Sequence, residues 1–86
     1  MNWEIKVAKR VAKEIKRIPK KDAKRLLFIL EEFTNNPYKG DIQKISGENN
    51  AWRRRIGNYR IIYQIFPKQK CIEVLDVRRR TTTTYK

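Results

Sequence analysis

Trp52-Arg53-Arg54-Arg55-Ile56-Gly57-Asn58-Tyr59-Arg60-Ile61-Ile62-Tyr63 decides the fold of this 86-residue chain. Two runs of β-branched, aromatic and basic residues flank Gly57-Asn58, a dipeptide that favours a two-residue hairpin turn. A turn of that length fixes the register. Ile56 faces Tyr59, Arg55 faces Arg60, Arg54 faces Ile61, Arg53 faces Ile62 and Trp52 faces Tyr63. Side chains alternate across a strand, so Arg53, Arg55 and Arg60 share one face. Arg55 and Arg60 then form a directly opposed like-charge pair, which destabilises a sheet. A sequence that keeps such a pair points to an anion as its ligand.

The opposite face of the same hairpin is apolar. Trp52, Ile56, Tyr59, Ile61, Tyr63 and Ile65 form one continuous set on which helices should pack. Arg54 falls on that side, with its stem along the core and its head reaching solvent.

Upstream, Trp3-Glu4-Ile5-Lys6-Val7 alternates as a half-buried strand does. Ala8, Val11, Ala12, Ile15 and Ile18 then recur at helical spacing, with lysines and arginines between them. Pro19 separates this helix from a second, which carries Ala23, Leu26, Leu27, Leu30 and Phe33 inward. Asn35-Asn36-Pro37 ends the second helix, because proline disfavours helical geometry in the residue before it. So short a join predicts an antiparallel helical hairpin. Residues 37–51 contain Pro37, Gly40, Gly47, Asn49 and Asn50 and read as a loop, pinned by Ile42 and Ile45.

Downstream, the second strand of the hairpin runs to about Phe66. Pro67-Lys68-Gln69-Lys70 makes another turn, and Cys71 to Val77 forms a last strand. Its register stays open, since Ile72 and Val74 lie on one side by alternation and Leu75 and Val77 on the other. Arg78 to Lys86 follow as a basic, threonine-rich tail. The order is β-α-α-β-β-β: an α+β domain, residues 1–86, with an antiparallel sheet and a helical hairpin on one face.

Composition narrows the function. Lys and Arg number 22 against 9 Asp and Glu, a formal charge of +13 that calls for a polyanionic partner, either nucleic acid or an acidic protein. The sequence has no His, which removes His-based acid/base chemistry, and its single Cys71 allows no intrachain disulfide. With so few ligands available, neither a transition-metal site nor a cofactor is expected. No segment is long enough to span a bilayer and no apolar signal region precedes the first charges, so the expected location is the cytoplasm.

Trp52 to Tyr63, the element order and the basic ending with a late tyrosine resemble the RelE/ParE superfamily, toxins of type II toxin–antitoxin systems. The resemblance covers nearly the whole chain. It implies one of two activities: metal-independent cleavage of messenger RNA in the ribosomal A site, as in the RelE branch, or inhibition of DNA gyrase without nuclease chemistry, as in the ParE branch. The first is the leading reading. On that reading Arg53, Arg55 and Arg60 match the family's basic positions on the open sheet face. Arg80, or its neighbour Arg79, matches the basic residue after the last strand, and Tyr85 matches the late tyrosine at a slightly shorter spacing. Glu48 is read as loop decoration. The resemblance also implies a cognate RelB-like antitoxin with an acidic or amphipathic segment, the ribosome and messenger RNA as partners, and a monomer when the antitoxin is absent.

Overall fold

The computed structural model describes residues 3–45, 47 and 50–79. The chain forms β1 (Glu4–Val7), α1 (Lys9–Arg17), α2 (Lys20–Phe33), β2 (Ile42–Lys44), β3 (Ala51–Ile56), β4 (Tyr59–Phe66) and β5 (Cys71–Arg79). The strands make one sheet in the order β1-β5-β4-β3-β2. Both helices contribute buried side chains to a core that includes Ile56, Tyr59, Ile61, Tyr63 and Ile65. Among the described residues, no helix is long and apolar enough to cross a membrane.

The central hairpin has the register the dipeptide turn dictates: Ile56 pairs with Tyr59, Arg55 with Arg60 and Trp52 with Tyr63. Gly57 has φ of +55° and Asn58 does not have positive φ, the pattern of a type II′ turn. Strand β4 alternates strictly, with Tyr59, Ile61, Tyr63 and Ile65 buried and the residues between them partly exposed.

The α+β class stands, but the sheet is mixed. Strand β1 runs parallel to β5, with Glu4 beside Cys71 through Val7 beside Val74. A four-residue alternating strand reads the same in either direction, and its link to β5 passes through the rest of the domain, so no turn fixes the polarity. The expected loop at 37–51 also contains a strand, β2, paired antiparallel to β3 through Gln43 and Arg53. It is only three residues long, which suits an exposed sheet edge.

A β-bulge resolves the last strand. Ile62 pairs with Asp76 but Tyr63 pairs with Val74, which leaves Leu75 without a partner. That extra residue shifts the alternation, so Ile72, Val74 and Val77 are all buried. The freed carbonyl of Leu75 accepts a hydrogen bond from Arg10 Nε at 3.1 Å. Strand β5 also continues past Val77 to Arg79.

In α2 the inward residues are Leu26, Ile29, Leu30 and Phe33, an i, i+3, i+4, i+7 stripe. Leu27, expected to face inward, is 52% exposed because it stands about 100° around the helix from Leu26. In α1, Ala12 is exposed at the margin of the Val11–Ile18 stripe. Phe33 stacks on Tyr63 with ring centroids 4.5 Å apart. Trp3, Tyr38 and Trp52 meet edge to face, at 6.2 and 5.9 Å, and close one end of the core.

Candidate nucleic-acid interface

The site is built on the sheet face turned away from the helices. Alternation along β3 and β4 places Arg53, Arg55 and Arg60 there together, as expected from the sequence. Each sits in a different local setting. The Arg55 Nε lies 3.6 Å from an Asp41 carboxylate oxygen, an ion pair at the exposed edge of the face. Arg53 donates from Nη2 to the Gln43 side-chain oxygen across the β2–β3 pair. Arg60 is half-buried, and its Nε has no acceptor among the described residues. A buried donor left unpaired costs on the order of 1–3 kcal/mol.

A fourth arginine joins them. Arg78 pairs with Arg60 across β4–β5, which puts it on the same face. Its Nε donates to Asp76 Oδ2 at 2.8 Å. Ending the last strand at Val77 leaves this residue in the tail, and the bulge at Leu75 reverses the alternation that would have placed it. Asp41, Gln43 and Asp76 were likewise not legible as acceptors, because β2 and the bulge set their places.

Arg79, the stated alternative to Arg80, pairs instead with Tyr59 and so belongs to the helix-packed side. Arg80, Tyr85 and Glu48 lie outside the described residues.

Arg54 does something different from what its sequence position suggested. Its head does not reach solvent: Nη1 donates to the Lys39 carbonyl at 3.0 Å, and Nη2 lies 3.9 Å from Glu32. The side chain is only 12% exposed. Gly40, at φ of +99°, lets the backbone close over it, and a Cβ there would collide with the guanidinium. Arg54 therefore ties the loop after α2 to the sheet, and the loop in turn delivers Asp41 to Arg55.

Two of the four tyrosines are committed to structure. Tyr59 donates to Asp22 Oδ2 at 3.1 Å; burial first, then that bond and the Asp22 charge, raise its phenol above the ordinary value, while Arg79 opposes them. Tyr63 donates to the Pro37 carbonyl at 3.0 Å, and burial pushes its phenol up to about 12, with Arg54 pulling the other way. Neither is suited to take a proton at neutral pH.

The Tyr63 shift carries a pH prediction. A phenol whose folded pKa is raised favours the protonated form in the native state, so its contribution is intact below pH 10 and is lost as pH rises toward 12. Between pH 9.5 and 11.5 wild-type stability should fall by about 1–2 kcal/mol more than that of Tyr63→Phe. Urea melts at pH 9.5 and 11.5 check this; parallel losses in both proteins would contradict it.

The geometry defines a small α+β domain that carries a cluster of arginines on an open sheet face. Comparison with known proteins is consistent with that description. The family described as ParE toxin of type II toxin–antitoxin system, parDE, matches residues 5–83. Methanocaldococcus jannaschii has a candidate toxin, RelE1, 29% identical over 83 residues, covering 93% of this chain and 92% of that protein. The crystal structure of the archaeal RelE–RelB complex from Pyrococcus horikoshii superposes with a TM-score of 0.84 at 30% identity, over 96% of this chain and all of that one. The RelB–RelE antitoxin–toxin complex from Methanococcus jannaschii gives 0.72 at 34% identity, over 86% of this chain and 88% of that one. The chain belongs to the ParE toxin family of type II toxin–antitoxin systems, within the RelE/ParE superfamily, and its fold is that of the RelE toxins.

Proposed function

We propose that this toxin is a RelE-type, metal-independent endoribonuclease that cuts messenger RNA in the ribosomal A site. The observation that carries the proposal is Arg60, whose half-buried guanidinium stands between Arg55 and Arg78 on the open face, its Nε without an acceptor among the described residues. Guanidiniums side by side on an open face suit an oxyanion. Arg53, Arg55 and Arg60 clamp the scissile phosphate and stabilise the charge that grows on it, the kind of fixed electrostatic contribution that dominates many reactions.

The cut begins when the ribose 2′-oxygen loses its proton and attacks the adjacent phosphorus. The P–O5′ bond then breaks, leaving a 2′,3′-cyclic phosphate, and the departing 5′-oxygen takes up a proton. The proposed base is Tyr85. An unperturbed phenol titrates near ~10, and a cluster of arginines around such a phenol would favour the phenolate. With Tyr59 and Tyr63 bound into the core side, Tyr85 is the phenol that the resemblance assigns to this work. Arg80 neutralises or protonates the leaving oxygen.

The proposed partner is a RelB-like antitoxin, supported by the RelE–RelB complexes among the structural relatives. A groove between α2 and the hairpin, lined by Lys24, Arg25, Phe28, Arg54 and Arg55, suits an acidic amphipathic segment. A ribosomal target places the action of the toxin in the cytoplasm.

The matching family's name favours a second reading, inhibition of DNA gyrase without chemistry. Paired assays separate the two. The ribonuclease reading expects message cleavage in a reconstituted translation system and no effect on gyrase supercoiling. Gyrase inhibition with intact message would overturn it.

A further inference from the structure

The register of β3, β4 and β5 sets Arg55 beside Arg60 and Arg60 beside Arg78, a row of three arginines perpendicular to the strands. Neighbouring strands are ~4.8 Å apart, so the row spans about 10 Å, more than one phosphate needs. Each outer member has a carboxylate beside it, Arg78 in a hydrogen bond of 2.8 Å and Arg55 in a looser, exposed ion pair at 3.6 Å. Asp41 lies against Arg55 at Nε and Asp76 against Arg78 at Nε. Asp76 is itself fixed, because its other oxygen accepts from the Val77 backbone N–H at 3.0 Å. A guanidinium gripped at Nε keeps its terminal nitrogens for a second acceptor, and that planar fork matches a phosphate. The Arg78 side chain is 63% exposed. Two opposed like-charge pairs in succession weaken the sheet, and a row of anions laid across the strands would offset both.

We infer that Arg78 is a third phosphate-contacting residue, carrying the RNA backbone across β5 to the phosphate next to the one held by Arg55 and Arg60. Asp76 is its positioning residue. The inference rests on the RNA-cleaving reading above, and it adds a binding residue that lies before the basic position at the end of the last strand.

The test measures anisotropy of a labelled single-stranded 2′-O-methyl RNA, which cannot be cut, against the full-length toxin over a range of salt concentrations. Wild type, Arg78→Ala, Arg78→Lys and Lys13→Ala are compared. Lys13→Ala removes an equal charge from the exposed side of α1, away from the row. Each phosphate contact contributes about −0.7 to the slope of log affinity on log salt for a single strand. Arg78→Ala should lower the slope by that amount and weaken binding about 5- to 10-fold at 0.1 M salt. Arg78→Lys should keep the slope while losing a few-fold in affinity, which also guards against a folding defect in the alanine variant. Equal slopes for Arg78→Ala and Lys13→Ala would overturn the inference and leave the Arg55–Arg60 clamp standing. Unchanged RNA binding with a weakened grip on the antitoxin would overturn it in favour of a protein contact. If wild-type toxin bound no RNA, either free or on ribosomes, the RNA reading itself would fall and the inference with it.

Discussion

On the proposed nuclease reading, Arg60→Ala should yield a toxin that folds and no longer cuts. Loss of one fixed donor to a developing oxyanion lowers turnover by about 10²–10³-fold, enough to abolish growth inhibition on induction. The same change removes the middle charge of the Arg55–Arg60–Arg78 row and a buried Nε that has no acceptor among the described residues. Stability should therefore hold or rise, by roughly 0.2–1 kcal/mol for each opposed pair relieved. An inactive variant that is at least as stable as wild type is the signature of a residue kept for binding against the interests of the fold. Cleavage of a translated message and a urea melt on the same preparation check both halves. Normal cutting would remove Arg60 from the clamp, and a large loss of stability would make its role structural.

Phe33→Ala should have the opposite profile. Phe33 is fully buried, and its ring stacks on Tyr63 at the centre of the helix–sheet contact. Truncating a buried phenylalanine costs about 3–5 kcal/mol, counting lost transfer and the cavity left behind. Whole domains are held by only ~5–15 kcal/mol, and an 86-residue domain buries a modest share of its surface. The free variant should melt at a much lower urea concentration, or be partly unfolded at room temperature. Antitoxin in excess should restore much of the loss, since a ligand that binds only the native state stabilises it by mass action. A change under ~1 kcal/mol in the free toxin would mean that the core is centred elsewhere.

The two variants map onto what the sequence did and did not reveal. The hairpin was legible because Gly57-Asn58 fixes turn length, turn length fixes register, and alternation then sorts Arg53, Arg55 and Arg60 from Ile61 and Tyr63. The inward stripe of α2 was legible except at Leu27, where an apolar residue one position off the stripe looks like part of it. The direction of β1 was not legible, because a short alternating strand carries no polarity. Strand β2 hid among glycines and asparagines, since its three residues gain their order from β3 rather than from their own propensity. The bulge at Leu75 hid Arg78, because one unpaired residue reverses the alternation on which the face assignment depends. Arg54 misled for a related reason. Its face was right, but the Gly40 loop that covers its head is a tertiary feature.

The arginine row also explains why the fold and the site are hard to separate. Asp41 is brought to Arg55 by the loop between α2 and β2, which Arg54 and Gly40 help seat and which the Arg55 N–H joins by donating to the Asp41 carbonyl at 3.1 Å. Asp76 reaches Arg78 within the same irregular stretch of β5. Each outer arginine thus has a carboxylate beside it that an irregular piece of backbone delivers, and Asp76 aims Arg78 by a hydrogen bond. Asp76→Asn would keep the hydrogen-bonding shape while weakening the hold on the Arg78 guanidinium.

The most direct measurement of the central claim is a map of RNA 5′ ends after induced expression of the wild-type toxin and of Arg60→Ala, with translation running. The account predicts new ends within translated reading frames, at a fixed position in the codon, that appear with wild type and vanish with the variant. An unchanged map in cells whose growth has stopped would contradict it, and would move the toxin's target away from messenger RNA.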